Sequence, residues 1–134
     1  MTGMTTTRRP AFVGPHEGKE LQLMLDGHKP MAMFVEEVDS EFEIFSEEDF
    51  DRHATIHGWV KRTRVEYDGA VEVRRILYAL PGEEWRLDAL MLTIDIYETL
   101  LPGRRPDLER IIGTLLGYNR SDIENYLQWL DERK

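Results

Sequence analysis

The sequence predicts an α+β fold, with a small antiparallel sheet of three or four strands packed against a helical C-terminal half. Asp68-Gly69 stands between two runs rich in β-branched and aromatic residues, WVKRTRVEY and AVEVRRILYAL, which is the pattern of a β-hairpin. A third run, KPMAMFVEEV at 29–38, is apolar enough for a strand buried on both faces. After Pro81-Gly82, apolar residues recur at helical spacing almost to the end of the chain.

The predicted order of elements is α-β-α-β-β-α-α-α. All of them belong to one domain, 16–134, which follows a flexible leader, 1–15, rich in Thr, Arg, Pro and Gly. The first helix is predicted over 17–26 and the first strand over 29–38. FEIF, at 42–45, is expected either to extend that strand or to form a short second one.

The helix predicted at 47–57 has well-marked ends. Ser46 is placed to cap it, because a serine hydroxyl can accept a hydrogen bond from a backbone N–H of the first turn. Phe45 and Phe50 stand on either side of this cap, at the spacing of a hydrophobic staple. Gly58 follows at the position where a left-handed residue commonly ends a helix.

Three further helices are predicted in the C-terminal half, over 83–101, over 107–117 and from Ser121 onwards. Ser121 and Glu124 have the spacing of a capping box, so the last helix is expected to begin at Ser121. The first of the three is apolar around most of its circumference, which predicts a central core helix.

Length and composition restrict the class of protein. A chain of 134 residues suits one domain, and no apolar run reaches the roughly 18 residues that a membrane span needs. Because the chain has 0 cysteines, disulfides, thiolate catalysis and cysteine–zinc sites are excluded. The N-terminus lacks the apolar core of a secretory signal. We therefore expect a cytoplasmic protein that does not bind membranes.

The negative charge is concentrated in one segment. The chain carries 26 acidic and 17 basic residues, and nine of the acids lie between Glu36 and Asp51, where there is no Lys or Arg. The remaining 17 acids balance the 17 bases, so this acidic segment, 36–51, accounts for the whole excess. It could be a solvated strand end and helix start. It could also bind a cationic partner, whereas nucleic acid and anionic membranes require basic surface.

The first candidate site is therefore a surface that binds a basic protein. Its acids would attract the partner, and exposed aromatic residues beside them would be the anchors that interfaces need. The residues predicted to bind this partner are Glu36, Glu37, Asp39, Glu41, Glu43, Glu47, Glu48, Asp49, Phe42, Phe45 and Trp59.

The second candidate site is a histidine pair. His53 and His57 are four residues apart, so both imidazoles lie on one face of the helix and could bind a metal ion together. Asp49 lies one turn earlier and could add an oxygen ligand. The same face carries Phe50 and Ala54, so the histidines could instead be boundary residues packed beside the core. The pair also lacks the glutamate of the HExxH motif.

The third candidate site is an anion-binding cluster of Arg62, Arg64 and Arg75. If Asp68-Gly69 is the two-residue turn, Arg62 lies directly opposite Arg75, and Arg64 shares their face. Like charges in that position need an anion, either from a ligand or from the protein's own carboxylates. One face of the 83–101 helix carries four acids that could meet solvent, bind a metal or pair with these arginines: Glu84, Asp88, Asp95 and Glu98.

The sequence has no motif that identifies an enzyme. It has no GxGxxG, GxxxxGK[ST] or GxSxG pattern, and no Ser or Thr nucleophile beside a credible base. We therefore predict a non-catalytic interaction protein, such as an adaptor, inhibitor or chaperone-like factor, that needs no cofactor. The alternatives are a small metal-binding enzyme or sensor, and an anion or nucleic-acid binder. Sheet edges and Trp129 leave room for a homodimer.

Overall fold

The structure is a computed structural model that describes residues 16–100 and 102–133. The predicted leader, 1–15, and Leu101 lie outside the described residues. The described part of the chain has the predicted α+β fold, with eight elements in the predicted order. They are α1 (Glu20–Leu25), β1 (Met31–Glu37), α2 (Glu47–His57), β2 (Val60–Asp68), β3 (Val71–Ala79), α3 (Trp85–Thr99), α4 (Pro106–Leu115) and α5 (Arg120–Asp131).

The described strands form one antiparallel sheet in the order β1-β3-β2, so β3 is central. β1 pairs with β3 along its whole length. FEIF, at 42–45, is not a strand. Phe45 stacks on Phe34 with 3.9 Å between ring centroids, and this contact directs the chain away from the sheet edge and into α2.

The hairpin turn lies one residue further along the chain than predicted. Gly69 and Ala70 form the two-residue loop, and Asp68 pairs with Val71. Gly69 has φ = 64°, which suits a hairpin turn that requires positive φ at its first central residue.

The position of the turn changes which residues lie opposite each other in β2 and β3, but it leaves each side chain on its predicted face of the sheet. Arg64, rather than Arg62, lies directly opposite Arg75. The partner has changed by two residues, and side chains alternate between faces with a period of two. Each side chain therefore keeps its predicted face.

The sheet has a hydrophobic core on each face, and β3 contributes to both. On one face Ile76 and Tyr78 pack with residues from α1, β1 and α2. On the other face Leu77 and Ala79 pack with residues from β1, α3 and α4. All four are 0–1% exposed. Because successive residues of a strand point to opposite faces, neighbours in β3 belong to different cores.

Helix α2 begins and ends as predicted. The hydroxyl of Ser46 accepts a hydrogen bond from the backbone N–H of Asp49 at 3.4 Å. The rings of Phe45 and Phe50 meet edge to face, with centroids 5.6 Å apart, and form the staple. Gly58 ends the helix with φ = 75°.

The cap of helix α5 lies two residues earlier than predicted. Asn119 caps it, and its side-chain oxygen accepts a hydrogen bond from the backbone N–H of Asp122 at 2.8 Å. The hydroxyl of Ser121, the predicted cap, donates to the same oxygen at 2.9 Å. Asparagine and serine are equally good caps, so the earlier one adds two residues to the helix without loss.

Helix α3 buries only one of its apolar flanks. Leu87, Leu90 and Ile94 are at most 7% exposed, whereas Leu92 and Ile96 are 62% and 44% exposed. The prediction of a core helix therefore holds for one side of α3 alone. Among the described residues, no helix is both long and apolar enough to cross a membrane.

Candidate functional site

The fold divides the acidic segment into a paired part and an unpaired part. Of its nine carboxylates, the paired ones, which form ion pairs with described residues, are Glu36, Glu47, Asp49 and Asp51. The others form no ion pair within the described part of the chain: Glu37, Asp39, Glu41, Glu43 and Glu48.

The paired part fastens the start of α2 to the sheet. Glu47 accepts hydrogen bonds from Lys61 at 2.6 Å and from Arg74. Asp51 accepts hydrogen bonds from Lys61 at 3.1 Å and from the hydroxyl of Tyr78 at 2.8 Å. Burial alone would raise the pKa of both carboxyl groups, but these hydrogen bonds outweigh it and hold each pKa below its ordinary value. The charges of these two acids are therefore compensated by side chains of the same protein.

The unpaired part is the last residue of β1 together with most of the exposed connection from β1 to α2, residues 37–44, which we call the acidic loop. Its apolar members Val38, Phe42 and Ile44 are 44%, 80% and 53% exposed. It also holds four of the five unpaired carboxylates, and the fifth, Glu48, lies in the first turn of α2. The acidic loop therefore presents apolar and acidic side chains to solvent together.

Hydrogen bonds give the acidic loop a defined shape. The backbone N–H of Val38 donates to the carbonyl of Glu72 at 3.0 Å, which continues the β1–β3 ladder into the loop. The N–H of Phe42 donates to the hydroxyl of Ser40 at 3.0 Å, and that hydroxyl lies 3.2 Å from the carbonyl of Phe42. A depression of about 310 Å³ lies between the loop and the start of α2, and six of the eleven described residues that line it are glutamates.

Of the three aromatic residues predicted to be exposed beside the acidic segment, only Phe42 is largely exposed. Phe42 is 80% exposed, whereas Trp59 is 9% exposed and belongs to the core, so its predicted exposure is wrong. Gly58 turns the chain back along α2, which brings the indole of Trp59 onto that helix. Phe45 is half-buried by its contacts with Phe34 and the core.

The histidine pair packs beside the core. The rings of His53 and His57 stack with centroids 5.6 Å apart, and both stack on Trp59. The carboxylate of Asp49, the predicted third ligand, forms an ion pair with Arg52 at 2.8 Å. No group of three side chains suited to a metal ion occurs in residues 16–100 or 102–133. The geometry favours the interpretation of the histidines as boundary residues.

The two arginines that lie opposite each other share one carboxylate of their own chain. Glu66 accepts hydrogen bonds from Arg75 at 2.8 and 3.0 Å and from Arg64 at 2.7 Å. The hydrogen bond from Arg75 is the main cause that lowers the pKa of Glu66 from 4.5 to about 2. The anion that the opposed arginines require is therefore Glu66.

Two acids of α3, Asp88 and Asp95, pair with the remaining donors of the hairpin. Arg64 donates to Asp95 at 2.8 and 3.1 Å, and Arg62 donates to Asp88. Of the three roles considered for the acidic face of this helix, the structure favours pairing with the arginines. All three guanidinium groups of the predicted anion-binding cluster thus have intramolecular partners.

Sequence reasoning missed a buried lysine between the two halves of the chain. Lys29 is 2% exposed; its ammonium group donates to the carbonyl of Leu116 and lies 2.9 Å from Nδ1 of His16. It also lies 4.8 Å from the centre of the Tyr118 ring, on which His16 stacks. Burial lowers the pKa of Lys29 from 10.5 to about 8. The one signal in the sequence is the position of Lys29 at the start of the run predicted to be a buried strand.

The fold and the acidic loop define a class: a small α+β protein that displays an acidic and apolar surface on an ordered framework. In comparisons with known proteins, no family model, no curated protein and no solved structure matches the chain. The exposed chemistry of the acidic loop is therefore the observation from which a function can be inferred.

Proposed function

We propose that this chain is a non-catalytic interaction protein, such as an adaptor, inhibitor or chaperone-like factor, that binds a basic partner protein through its acidic loop. The observation that carries the proposal is Phe42, which is 80% exposed among unpaired carboxylates. The surrounding loop has no Lys or Arg that could neutralise them. We expect this interaction to take place in the cytoplasm.

Phe42 has the properties of an interface anchor. Most of the binding energy of a protein interface comes from a few residues, often aromatic, that become fully desolvated on binding. An exposed phenylalanine buries a large apolar area when it enters a pocket. The hydrogen bonds at Ser40 hold the turn before binding, which reduces the entropy lost in the complex.

The carboxylates give the surface its preference for cations. Charged groups around an anchor act mainly on the rate of encounter and on the choice of partner. The partner should therefore present an apolar pocket surrounded by Lys or Arg. Because exposed charges are screened by salt, its affinity should fall as ionic strength rises.

The proposal is tested by site-specific photo-crosslinking in the cells that naturally produce this protein. A photoreactive phenylalanine analogue is placed at position 42 and, as a control, at position 56, where Ile56 is 65% exposed on α2. We expect position 42 to form one dominant adduct with a protein whose contact surface is basic, and position 56 to form none.

Two matched double variants then test the role of charge. Glu41→Gln/Glu43→Gln neutralises two acids of the acidic loop, and Glu17→Gln/Glu132→Gln neutralises two exposed acids elsewhere. The adduct at position 42 should be lost in the first and kept in the second. Equal adducts at both positions, or an adduct that survives the loop variant, would contradict the proposal.

A further inference from the structure

A second surface, separate from the acidic loop, lies between α3, α4 and α5. A cavity of about 530 Å³ opens there, which is within the size range of small-molecule sites. Aliphatic side chains from all three helices form much of its wall: Ile94, Ile112, Ile123 and Leu130. The cavity therefore offers an apolar surface large enough for the body of a small ligand.

Close helix packing fixes one side of this cavity. A Cβ atom on Gly113 of α4 would lie only 2.9 Å from Cγ1 of Ile123 on α5. The glycine thus allows α5 to approach α4 more closely than any other residue would. Ile123 is consequently 8% exposed and held in place beside the opening.

Among the described residues, the one cation that lines the cavity is already neutralised. Arg104 donates to Glu109 at 3.2 Å and to Asp131 at 2.6 Å. Glu109 also accepts a hydrogen bond from the hydroxyl of Tyr97 at 2.8 Å. Because Arg104 has two carboxylate partners, it offers little attraction to an anionic ligand.

Two other acids of the lining are available to a cation. Glu98 and Asp122 form no ion pair with any residue that the structure describes, and the described part of the lining has three acids and one base. Three tyrosines, at positions 97, 118 and 126, also line the cavity. Carboxylates and aromatic rings together are the groups that attract an ammonium ion.

We propose that this cavity binds a small amphiphilic amine. Its protonated head lies near Glu98 and Asp122, and its aliphatic or aromatic body lies against the isoleucines of the wall. This site is independent of the acidic loop and of the partner proposed for it.

The test is a titration of the ¹⁵N-labelled full chain, followed by two-dimensional NMR, with three probes of equal chain length: octylamine, octanol and octanoate. We expect octylamine to shift the amide signals of residues 94–98 and 112–126 in a saturable manner. Octanol should bind several-fold more weakly, because it lacks the charge, and octanoate more weakly still. Shifts confined to residues 36–48, or equal affinities for octylamine and octanol, would overturn the proposal.

Variants separate the charge from the shape of the site. Glu98→Gln should weaken octylamine binding about threefold to fivefold, the effect of one exposed ion pair, and leave octanol binding unchanged. Glu48→Gln, an equivalent change at the acidic loop, should alter neither. Leu130→Trp should fill the opening and abolish binding of both probes. If Glu98→Gln and Glu48→Gln weaken octylamine equally, the attraction is only general electrostatics and the proposal is wrong.

Discussion

Replacing Lys29 with methionine should remove a rise in stability that the wild-type protein shows between about pH 8 and pH 10. The side chain is 2% exposed, and burial lowers its pKa from 10.5 to about 8. Between these two values the amine carries a proton in the unfolded chain but not in the folded protein. Raising the pH therefore favours the folded state in this range.

The size of the effect follows from the pKa difference. One pKa unit corresponds to about 1.4 kcal/mol, so the interval from pH 8 to pH 10 should add about 2 to 3 kcal/mol to the free energy of unfolding. Other perturbed groups act elsewhere. Burial lowers the pKa of His16 to about 4, below this range. Burial raises the pKa of Tyr78, which lowers stability only above about pH 10.

The measurement is urea unfolding, followed by tryptophan fluorescence, at several pH values across this interval for wild type and Lys29→Met. The difference between the two proteins cancels the titration of all other groups. As the pH rises, the free energy of unfolding of the wild type should increase by about 2 to 3 kcal/mol relative to that of Lys29→Met. Parallel curves would show that Lys29 keeps its ordinary pKa and that the reasoning from its burial is wrong.

Three further predictions concern the backbone, an ion pair and a helix cap. Gly117→Ala should lower the free energy of unfolding more than Gly27→Ala. Both glycines have positive φ, 88° and 77°, but of the two only Gly117 lies close to another residue: its new Cβ would lie 2.5 Å from Pro30. The left-handed backbone alone costs about 1 to 2 kcal/mol, so equal losses in urea unfolding would contradict the steric argument. Above pH 4.5 the ion pair of Glu66 stabilises the wild type by about 3 kcal/mol, and this stabilisation is lost as the pH falls toward 2; Glu66→Gln should lack it. If the free energy of unfolding of the variant followed that of the wild type across this pH range, the prediction would be wrong. Ser46→Ala should cost about 1 kcal/mol in thermal unfolding, whereas Ser46→Asp, which keeps a capping oxygen, should cost little.

Local signals explain why much of the fold could be predicted. The ends of α2 depend on Ser46, Phe45 and Gly58, which lie next to the residues they act on, and both ends are confirmed. Where two neighbouring residues could serve the same purpose, the prediction chose the wrong one. Asn119 caps α5 in place of Ser121, and the hairpin turn begins at Gly69.

The candidate site was only partly predictable because exposure and pairing depend on tertiary contacts. The excess of charge in the acidic segment is visible in the sequence, but its division is set by Lys61 and Arg74, which approach from the sheet. Phe42 and Trp59 are both aromatic residues near the acids, and only packing against α2 distinguishes the buried one. Lys29 donates a hydrogen bond to the carbonyl of Leu116, 87 residues further along the chain, and no local sequence pattern predicts that contact.

Five acids of the acidic segment form no ion pair with described residues, four in the acidic loop and Glu48 beside it, and this concentration of unpaired negative charge gives the folded protein an electric dipole. In the field of a basic surface, such a molecule experiences a torque that turns the acidic loop toward that surface before contact. A larger fraction of collisions then occurs in an orientation that allows binding. Added salt should consequently slow the association of the proposed complex far more than it speeds its dissociation.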